Sequence, residues 1–381
     1  VNSLIYLDNA ATTKVSPEVL EAMMPYFSDV YGNPESIHSA GREAAKAVEK
    51  ARAQVAAPIG ADPGNIIFTS GGSEANTLAI VGLADYLKSE GRTHIVTTKV
   101  EHHSVLNAIK SLFDLGFDVT WLDVDRDGTI PTERIAKAVR ENTGLVSIMA
   151  VNNETGNRYP IEHIGQICRA AGALFHTDCV QAYCGTNIDV DISCIDFLSA
   201  SGHKVHAPKG VGFLYARRKE LLRPVIHGGS QEYELRGGTH NVPYIVGMGK
   251  AAELAHAAWL HNIYECGMKI GALKRGVFSQ LSGVHVNGSP HDNSKTLNLR
   301  FDGIDGETLL LLLDSRGIEV SAGSACSAHY AVPSHVLSAI GLTEDEARSS
   351  IRVSVSQYTT DEEIAEATRL IVDSVKQLQG G

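Results

Sequence analysis

The chain has 381 residues, too many for one small core, and its 43% hydrophobic content is ordinary for a globular protein of about two domains. A formal net charge of −11 makes nucleic acid and anionic membrane poor partners, and no apolar run reaches the roughly eighteen residues that span a bilayer. No basic segment precedes an apolar one near Val1, so no signal peptide is expected; the six cysteines form no C-x-x-C pair, which fits a reducing, cytoplasmic setting.

In chain order, Tyr6 to Thr13 reads as an extended arm or loop. Ser16-Pro17-Glu18 opens a helix, with Ser as N-cap and Pro at the first position. Ala40 to Ala57 is Ala-rich with charges at helical spacing and ends at Pro58 and Gly60. Asn65 to Thr69 is a strand, Ser70 to Asn76 a small-residue turn, and Thr77 to Leu87 a helix. Strands are then expected at Thr93–Thr97, Asp118–Leu122, Leu145–Val151, Ala173–Asp178, Cys194–Leu198 and Val211–Tyr215. Helices are expected at Ser104–Leu115, Thr132–Arg140 and Ile161–Ala171. This alternation predicts βαβ units and a mostly parallel sheet. After about Val246 the texture changes. Ala251 to Leu281 reads as one long helix containing Gly267, Gly271 and Gly276. Strands at Thr296–Phe301, Gly317–Ser321 and Ser350–Ser354 and helices at Gly306–Ser315, Ser334–Ala339 and Thr360–Gln377 follow, suggesting a smaller α+β domain.

Ligands of open parallel sheets sit at the carboxyl ends of the strands. Polar residues fall there in this chain: Gly72-Ser73, Glu101-His102, Asn152-Asn153, Asp178 with Gln181, and Ser201-Gly202-His203-Lys204. Lys204, on a small-residue turn at a strand end, is placed to lose its proton and form a Schiff base. The strand–glycine turn–helix at Ser70 to Asn76 is either a phosphate cradle or a capped helix start. It has neither G-x-G-x-x-G nor the Walker lysine. A lysine Schiff base with a phosphate cradle points to pyridoxal phosphate, whose pyridine nitrogen needs a carboxylate partner. Asp178 is the candidate for that partner, or else a helix N-cap; His102 stacks on a cofactor ring or is an ordinary loop histidine. Cys326 lies in the small, polar run Gly323 to Tyr330 and is a candidate nucleophile or an inconsequential loop thiol. Cys168, His176, Cys179, Cys184 and Cys194 are irregularly spaced in apolar surroundings, so no metal site is expected.

These residues carry a resemblance to the cysteine desulfurases of the pyridoxal-phosphate fold-type I superfamily, within the class-V aminotransferases. It covers the chain from Tyr6 to about Ile364. The matching motifs are Leu7-Asp8-Asn9-Ala10-Ala11-Thr12-Thr13, Gly32-Asn33-Pro34, Thr69-Ser70-Gly71 with Glu74, Glu101-His102, Val151 to Gly156, His176-Thr177-Asp178 with Gln181, Ser201 to Lys204, Arg236-Gly237-Gly238-Thr239, Gly323-Ser324-Ala325-Cys326 and Ser350-Ile351-Arg352. The step from Cys326 to Pro333 resembles the long-loop group, whose cysteine swings outward, and His206-Ala207 resembles the nitrogenase-serving members.

The resemblance implies an α/β fold: a mostly parallel seven-stranded sheet in a large domain, residues 15–250, plus a smaller α+β domain from residues 1–14 and 251–381 that carries the Cys326 loop. It implies Lys204 as cofactor anchor and Cα base, Asp178 on the pyridine nitrogen, Gln181 on the ring hydroxyl and His102 stacked on the ring. Gly72, Ser73, Ser201 and His203 would hold the phosphate, and Thr239 that of the neighbouring subunit of a homodimer. Asn153, Arg352, Asn9 and Ala10 would bind the substrate, L-cysteine, with Asn153 also contacting the cofactor. Cys326 would take the sulfur as a persulfide and pass it to an iron–sulfur scaffold or another acceptor protein. The rivals are a selenocysteine lyase or another fold-type I enzyme such as an aminotransferase, which has no use for Cys326, and a catalytically idle sulfur relay.

Overall fold

A computed structural model describes residues 4–290, 294–322 and 333–380. In chain order its strands are β1 (Ile5–Tyr6), β2 (Ile66–Thr69), β3 (His94–Thr98), β4 (Asp118–Leu122), β5 (Thr143–Ser147), β6 (Leu174–Asp178), β7 (Phe197–Ser201), β8 (Gly212–Ala216), β9 (Val284–Val286), β10 (Thr296–Phe301), β11 (Ile318–Glu319) and β12 (Ser350–Ser354). A seven-stranded sheet runs in the order β2-β8-β7-β6-β5-β3-β4. Only β8 is antiparallel to its neighbours, so the other six strands share one direction. The mostly parallel sheet expected from the alternating pattern is therefore present.

Strand periodicity divides the packing between the two faces of this sheet. Ile66, Phe68, Val96, Val146, Leu198 and Phe213 pack into one core. Ile67, Ile95, Leu145, Phe197 and Leu214, the alternating partners, pack into the other. Helices Ser39–Ala56 and Val242–Ala257 lie against each other on the first face, where Gly249 brings its backbone against Ala51. A third core combines Ile5 and Leu7 with Leu297, Leu299, Phe301, Ile351, Val353 and the inner faces of helices Trp259–Phe278 and Asp361–Gln379. It is built on the antiparallel sheet β12-β10-β9 and the parallel pair β1-β11.

Several elements differ from their sequence pattern. The helix expected from Thr77 starts at Gly72 and stops at Val81; a separate helix covers Ala84–Ser89. The break falls at Gly82, whose carbonyl accepts from Arg223 N at 2.8 Å instead of continuing the helix. The strand expected at Cys194–Leu198 is displaced to Phe197–Ser201. Ser199 is paired on both edges and Ser201 with Gly212 of β8, and Ser199 Oγ meets His176 Nε2 at 3.1 Å, so small polar residues are accommodated inside the sheet. The long helix expected over Ala251–Leu281 is two helices, Val242–Ala257 and Trp259–Phe278, divided at Ala258 and not at a glycine. Gly276 stays helical because its bare backbone lets Thr368 approach: a Cβ there would meet Thr368 Cγ2 at 2.5 Å. Of the arm or loop expected over Tyr6 to Thr13, only Tyr6 belongs to a strand, β1, which pairs with β11; Asp8 makes an isolated bridge to Ser354.

Candidate active site

Because six strands point the same way, the ends of β2, β3, β5, β6 and β7 open on one edge. A cleft of ≈ 240 Å³ lies there, lined by Ala10, Gly72, Ser73, His102, Asn153, Asp178, Gln181, Ser201, His203, Lys204 and Arg352. All of these are residues that the sequence pattern or the family resemblance singles out. Asn9 lines an adjoining cavity instead, and its amide donates to the Tyr6 and Ser354 carbonyls at 3.2 and 3.0 Å. Thr239 is exposed and does not line the cleft. Cys326 lies outside the described residues.

Lys204 ends a single 3-10 turn, Gly202–Lys204, directly after β7. Its Nζ donates to the carbonyls of Ala10 and Ala11 at 2.6 and 2.8 Å, which draws the Asp8–Thr13 segment over the cleft. Thr13 N and Oγ1 reinforce this by donating to the His203 carbonyl at 2.9 and 3.0 Å. Burial pushes the Lys204 amine down to about 7, with the charges of Arg352 and Lys295 adding to the effect and Asp8 and Asp178 opposing it. Between about 7 and the ordinary lysine value of 10.5 the unfolded chain holds a proton that the folded chain has released. This residue's contribution to stability therefore rises with pH across that window. Amine-directed labelling of the cofactor-free chain should show Lys204 half reactive near pH 7. A half-point at the ordinary lysine value of about 10.4 would contradict the depressed amine.

Asp178, at the end of β6, is 5% exposed. Its Oδ1 accepts from Val180 N at 2.9 Å and its Oδ2 from Asn76 Nδ2 at 2.8 Å. The N-cap alternative fails, since the residues after Asp178 form turns and not a helix. Asn76 also donates to Ser104 Oγ at 2.8 Å. Ser104 in turn meets His102 Nδ1 at 2.8 Å, giving the chain Asp178–Asn76–Ser104–His102. His102 caps helix His103–Lys110, with Nδ1 accepting from Ser104 N at 3.2 Å. That backbone donor assigns the ring proton to Nε2. Burial holds the ring's pKa below the ordinary histidine value, so it is neutral.

The paired polar residues at strand ends divide their work. His102 and Asn153 line the cleft, whereas their neighbours Glu101 and Asn152 are fully enclosed and brace it. Glu101 accepts from Met149 N at 3.1 Å and from Thr98 Oγ1 at 2.7 Å, and burial pushes its carboxyl up to about 8. Asn152 Oδ1 accepts from Glu154 N and Thr155 N at 2.8 and 3.0 Å, setting the turn that presents Asn153. His176 and the buried cysteines pack apart from the cleft. Burial drives the His176 ring down to about 3, and it bonds Ser147 and Ser199.

Asn76, Ser104, Met149 and Val180 also line the cleft without having been singled out as site residues. Asn76 was legible: once the helix starts at Gly72, Asn76 is one turn further along the same face. Placing the helix start at Thr77 hides it in a loop.

The opposite wall comes from β12. Arg352 is 1% exposed; its guanidinium donates to the Asn153 carbonyl at 3.0 Å and to Asp8 Oδ1 at 2.8 Å. Its Nε is buried without a partner among the described residues. Gly72 opens helix Gly72–Val81, and a Cβ there would lie 2.5 Å from Val180 Cγ2, so backbone forms this corner. A helix N-terminus with Ser73, Ser201 and His203 suits a phosphate. A depressed amine suits an aldehyde, and a carboxylate held by two donors suits a protonated pyridine nitrogen. The residues present therefore fit pyridoxal phosphate.

The class-V aminotransferase family model matches residues 5–366. A cysteine desulfurase IscS of Dictyoglomus turgidum (strain DSM 6724 / Z-1310) is 46% identical over 362 residues, covering 94% of this chain and 91% of that protein. A solved structure of a NifS-like protein superposes with a TM-score of 0.91 at 37% identity, covering 98% of this chain and all of the other. A structure of SspA in complex with cysteine superposes with a TM-score of 0.82 at 41% identity, covering 93% and 99% of the two chains.

Proposed function

The chain belongs to the class-V aminotransferase family and, within it, to the cysteine desulfurases; on that premise we propose that it removes sulfur from L-cysteine, releases L-alanine and leaves the sulfur on Cys326. The observation that carries this reading is the convergence of Lys204, Asp178, His102 and Arg352 on one cleft.

Pyridoxal phosphate, when bound, supplies an electron sink for the charge left when the substrate Cα loses its proton. Lys204 anchors it and then takes that proton, a task that needs a neutral amine at working pH. Asp178, whose carboxylate accepts from Val180 N and Asn76 Nδ2, would pair with the ring nitrogen. Gln181, whose Nε2 donates to the Ala10 carbonyl at 2.9 Å, would meet the ring hydroxyl. His102 would cover the ring face, and Gly72, Ser73, Ser201 and His203 would hold the phosphate. Arg352 takes the substrate carboxylate beside Asn153, with Asn9 and Ala10 holding the adjacent wall. Cys326 attacks the substrate sulfur as a thiolate. An S–S bond would form and the Cβ–S bond would break; its electron pair would be protonated at Cβ, and Lys204 would return the proton to Cα, giving alanine. No external oxidant is needed.

The finer assignments belong to the same proposal. The chain divides into residues 15–250 and residues 1–14 with 251–381, the latter bringing Cys326 to the cleft. A homodimer puts Thr239 against the neighbouring subunit's phosphate. Exposed Tyr31 and Ile37 flank Glu35, which approaches His240, and they offer apolar surface for that second copy. The persulfide sulfur goes to an iron–sulfur scaffold or another acceptor protein. No helix among the described residues is long and apolar enough to cross a membrane, and the setting proposed is cytoplasmic.

The protein loaded with pyridoxal phosphate, given L-cysteine and a thiol reductant, should release alanine and sulfide in equal amounts. Turnover of selenocysteine with none of cysteine would favour the lyase. No alanine from either, in a colourless protein, would favour the idle relay.

A further inference from the structure

Beside the cleft, and sharing Val151, Gln181 and Lys204 with it, lies a second cavity of ≈ 70 Å³. The proposed reaction gives it no role. It lies between the turn after β6 (Gln181–Thr186), helix Trp259–Phe278 and the segments around Lys295 and Val355–Gln357. Its lining includes Lys295 and Arg158 as well as Lys204, but no aspartate or glutamate among the described residues. Amide side chains of Asn9, Asn262 and Gln357 also reach it. The Lys295 carbonyl accepts from Val355 N at 2.9 Å, but its ammonium has no hydrogen bond or ion pair with a described residue, and the described groups that bear on its charge are the thiols of Cys266 and Cys184. Burial pushes the Cys184 thiol up to about 12, so it stays protonated and offers S–H, not negative charge.

An ammonium in a desolvated pocket with no counter-charge among the described residues is costly, and losing its proton or acquiring an anion relieves that cost. The cavity exceeds the roughly 10–15 Å³ that one water needs, and amide and S–H donors around a cation are the groups that desolvate an anion well. We propose that this cavity is a binding site for a small monovalent anion of chloride or hydrosulfide size, held by Lys295 with the Asn262 amide and the neighbouring thiols. The single charge of Lys295 matches one monovalent anion, and divalent sulfate is the contrasting probe.

Occupancy would reach Lys204. The charged and titratable groups bearing on Lys204 are Arg352 and Lys295, which depress its amine, and Asp8 and Asp178, which raise it. His102 and His203 line the same cleft in their neutral forms. An anion on Lys295 cancels one depressing charge and moves the Lys204 half-point upward.

The test uses the full chain, with and without pyridoxal phosphate, and reads the chloride NMR line width and the melting temperature. Chloride should broaden and stabilise the wild type, bromide and hydrosulfide should compete, and sulfate at matched ionic strength should not. Lys295→Met should weaken binding about ten-fold or more, as loss of a charge-assisted contact does. It should also raise the Lys204 labelling half-point without added chloride. Asn262→Leu, which leaves the lysine in place, should give a smaller loss. Absence of broadening in the wild type, or equal broadening in Lys295→Met, would overturn the site and leave a neutral Lys295. Competition by hydrosulfide but not bromide would identify a site for the reduced sulfur product. Competition by both would identify a general halide-sized site.

Discussion

Lys204→Ala should lower alanine formation from L-cysteine by at least about 10²–10⁴-fold, the span that a positioned proton-transfer group supplies. The loss has two parts that one experiment separates. Borohydride reduction should leave no cofactor attached to the variant. Added small amines should restore some turnover by replacing the missing base, but should not restore attachment. The fold should survive, because the Nζ contacts only the Ala10 and Ala11 carbonyls, in a segment also tied down by Thr13 and Asn9. The rise in stability with pH between about 7 and 10.5 that Lys204 contributes should vanish in the variant. Retained attachment, or turnover near wild type, would remove Lys204 from the mechanism.

Arg352→Ala should be costly in a different way. The guanidinium is 2% exposed and the Asp8 carboxylate 18% exposed, at 2.8 Å. Deleting one partner of such a pair leaves the other carrying uncompensated charge, a loss of about 3–5 kcal/mol, with the lower end expected here because Asp8 keeps some solvent. The pair also joins the N-terminal segment to β12, and the Asn153 carbonyl loses its donor as well. Urea unfolding of the cofactor-free chain measures this directly. Activity adds an independent readout: KM for L-cysteine should rise about 10–100-fold, the worth of a charge-assisted contact. Asp8→Asn with Arg352→Met, which removes both charges, should recover most of the stability and none of the substrate affinity. Recovery of both, or a KM unchanged in Arg352→Ala, would make Arg352 purely structural.

The legibility of the chain follows from where its signals are local. The ends of β2, β3, β6 and β7 are marked by a switch from apolar runs to Gly, Ser, His and Asp, so the cleft could be located before the strands were placed. The segment after β5 blurred this. Leu145 to Val151 reads as one strand, yet β5 ends at Ser147 while Ile148 N and Ala150 N go on bonding the β6 carbonyls of His176 and Asp178. That continued pairing sets Val151 and Asn153 beside Asp178, and it is a long-range fact. The sequence groups Glu101 and Asn152 with His102 and Asn153 at the strand ends, since two adjacent polar residues carry no signal of which one lines the cleft and which is enclosed behind it. Asn76 was hidden by misplacing one helix start. The helix break at Ala258 has no residue that marks it, whereas Gly267, Gly271 and Gly276 suggested breaks and are helical. Lys295 gave no signal at all: it is a lone lysine before a strand, and only the packing of helix Trp259–Phe278 against the turn after β6 encloses it.

The proposed sulfur path is tested most directly by mass. The protein loaded with pyridoxal phosphate is mixed with L-cysteine without reductant, alkylated and digested, and the peptides are weighed. The Cys326 peptide should be heavier by one sulfur atom, in step with the alanine released, and Cys326→Ser should release no alanine. Alanine formed while the Cys326 peptide keeps its mass, or sulfur found on Cys184 or Cys266 instead, would contradict the mechanism.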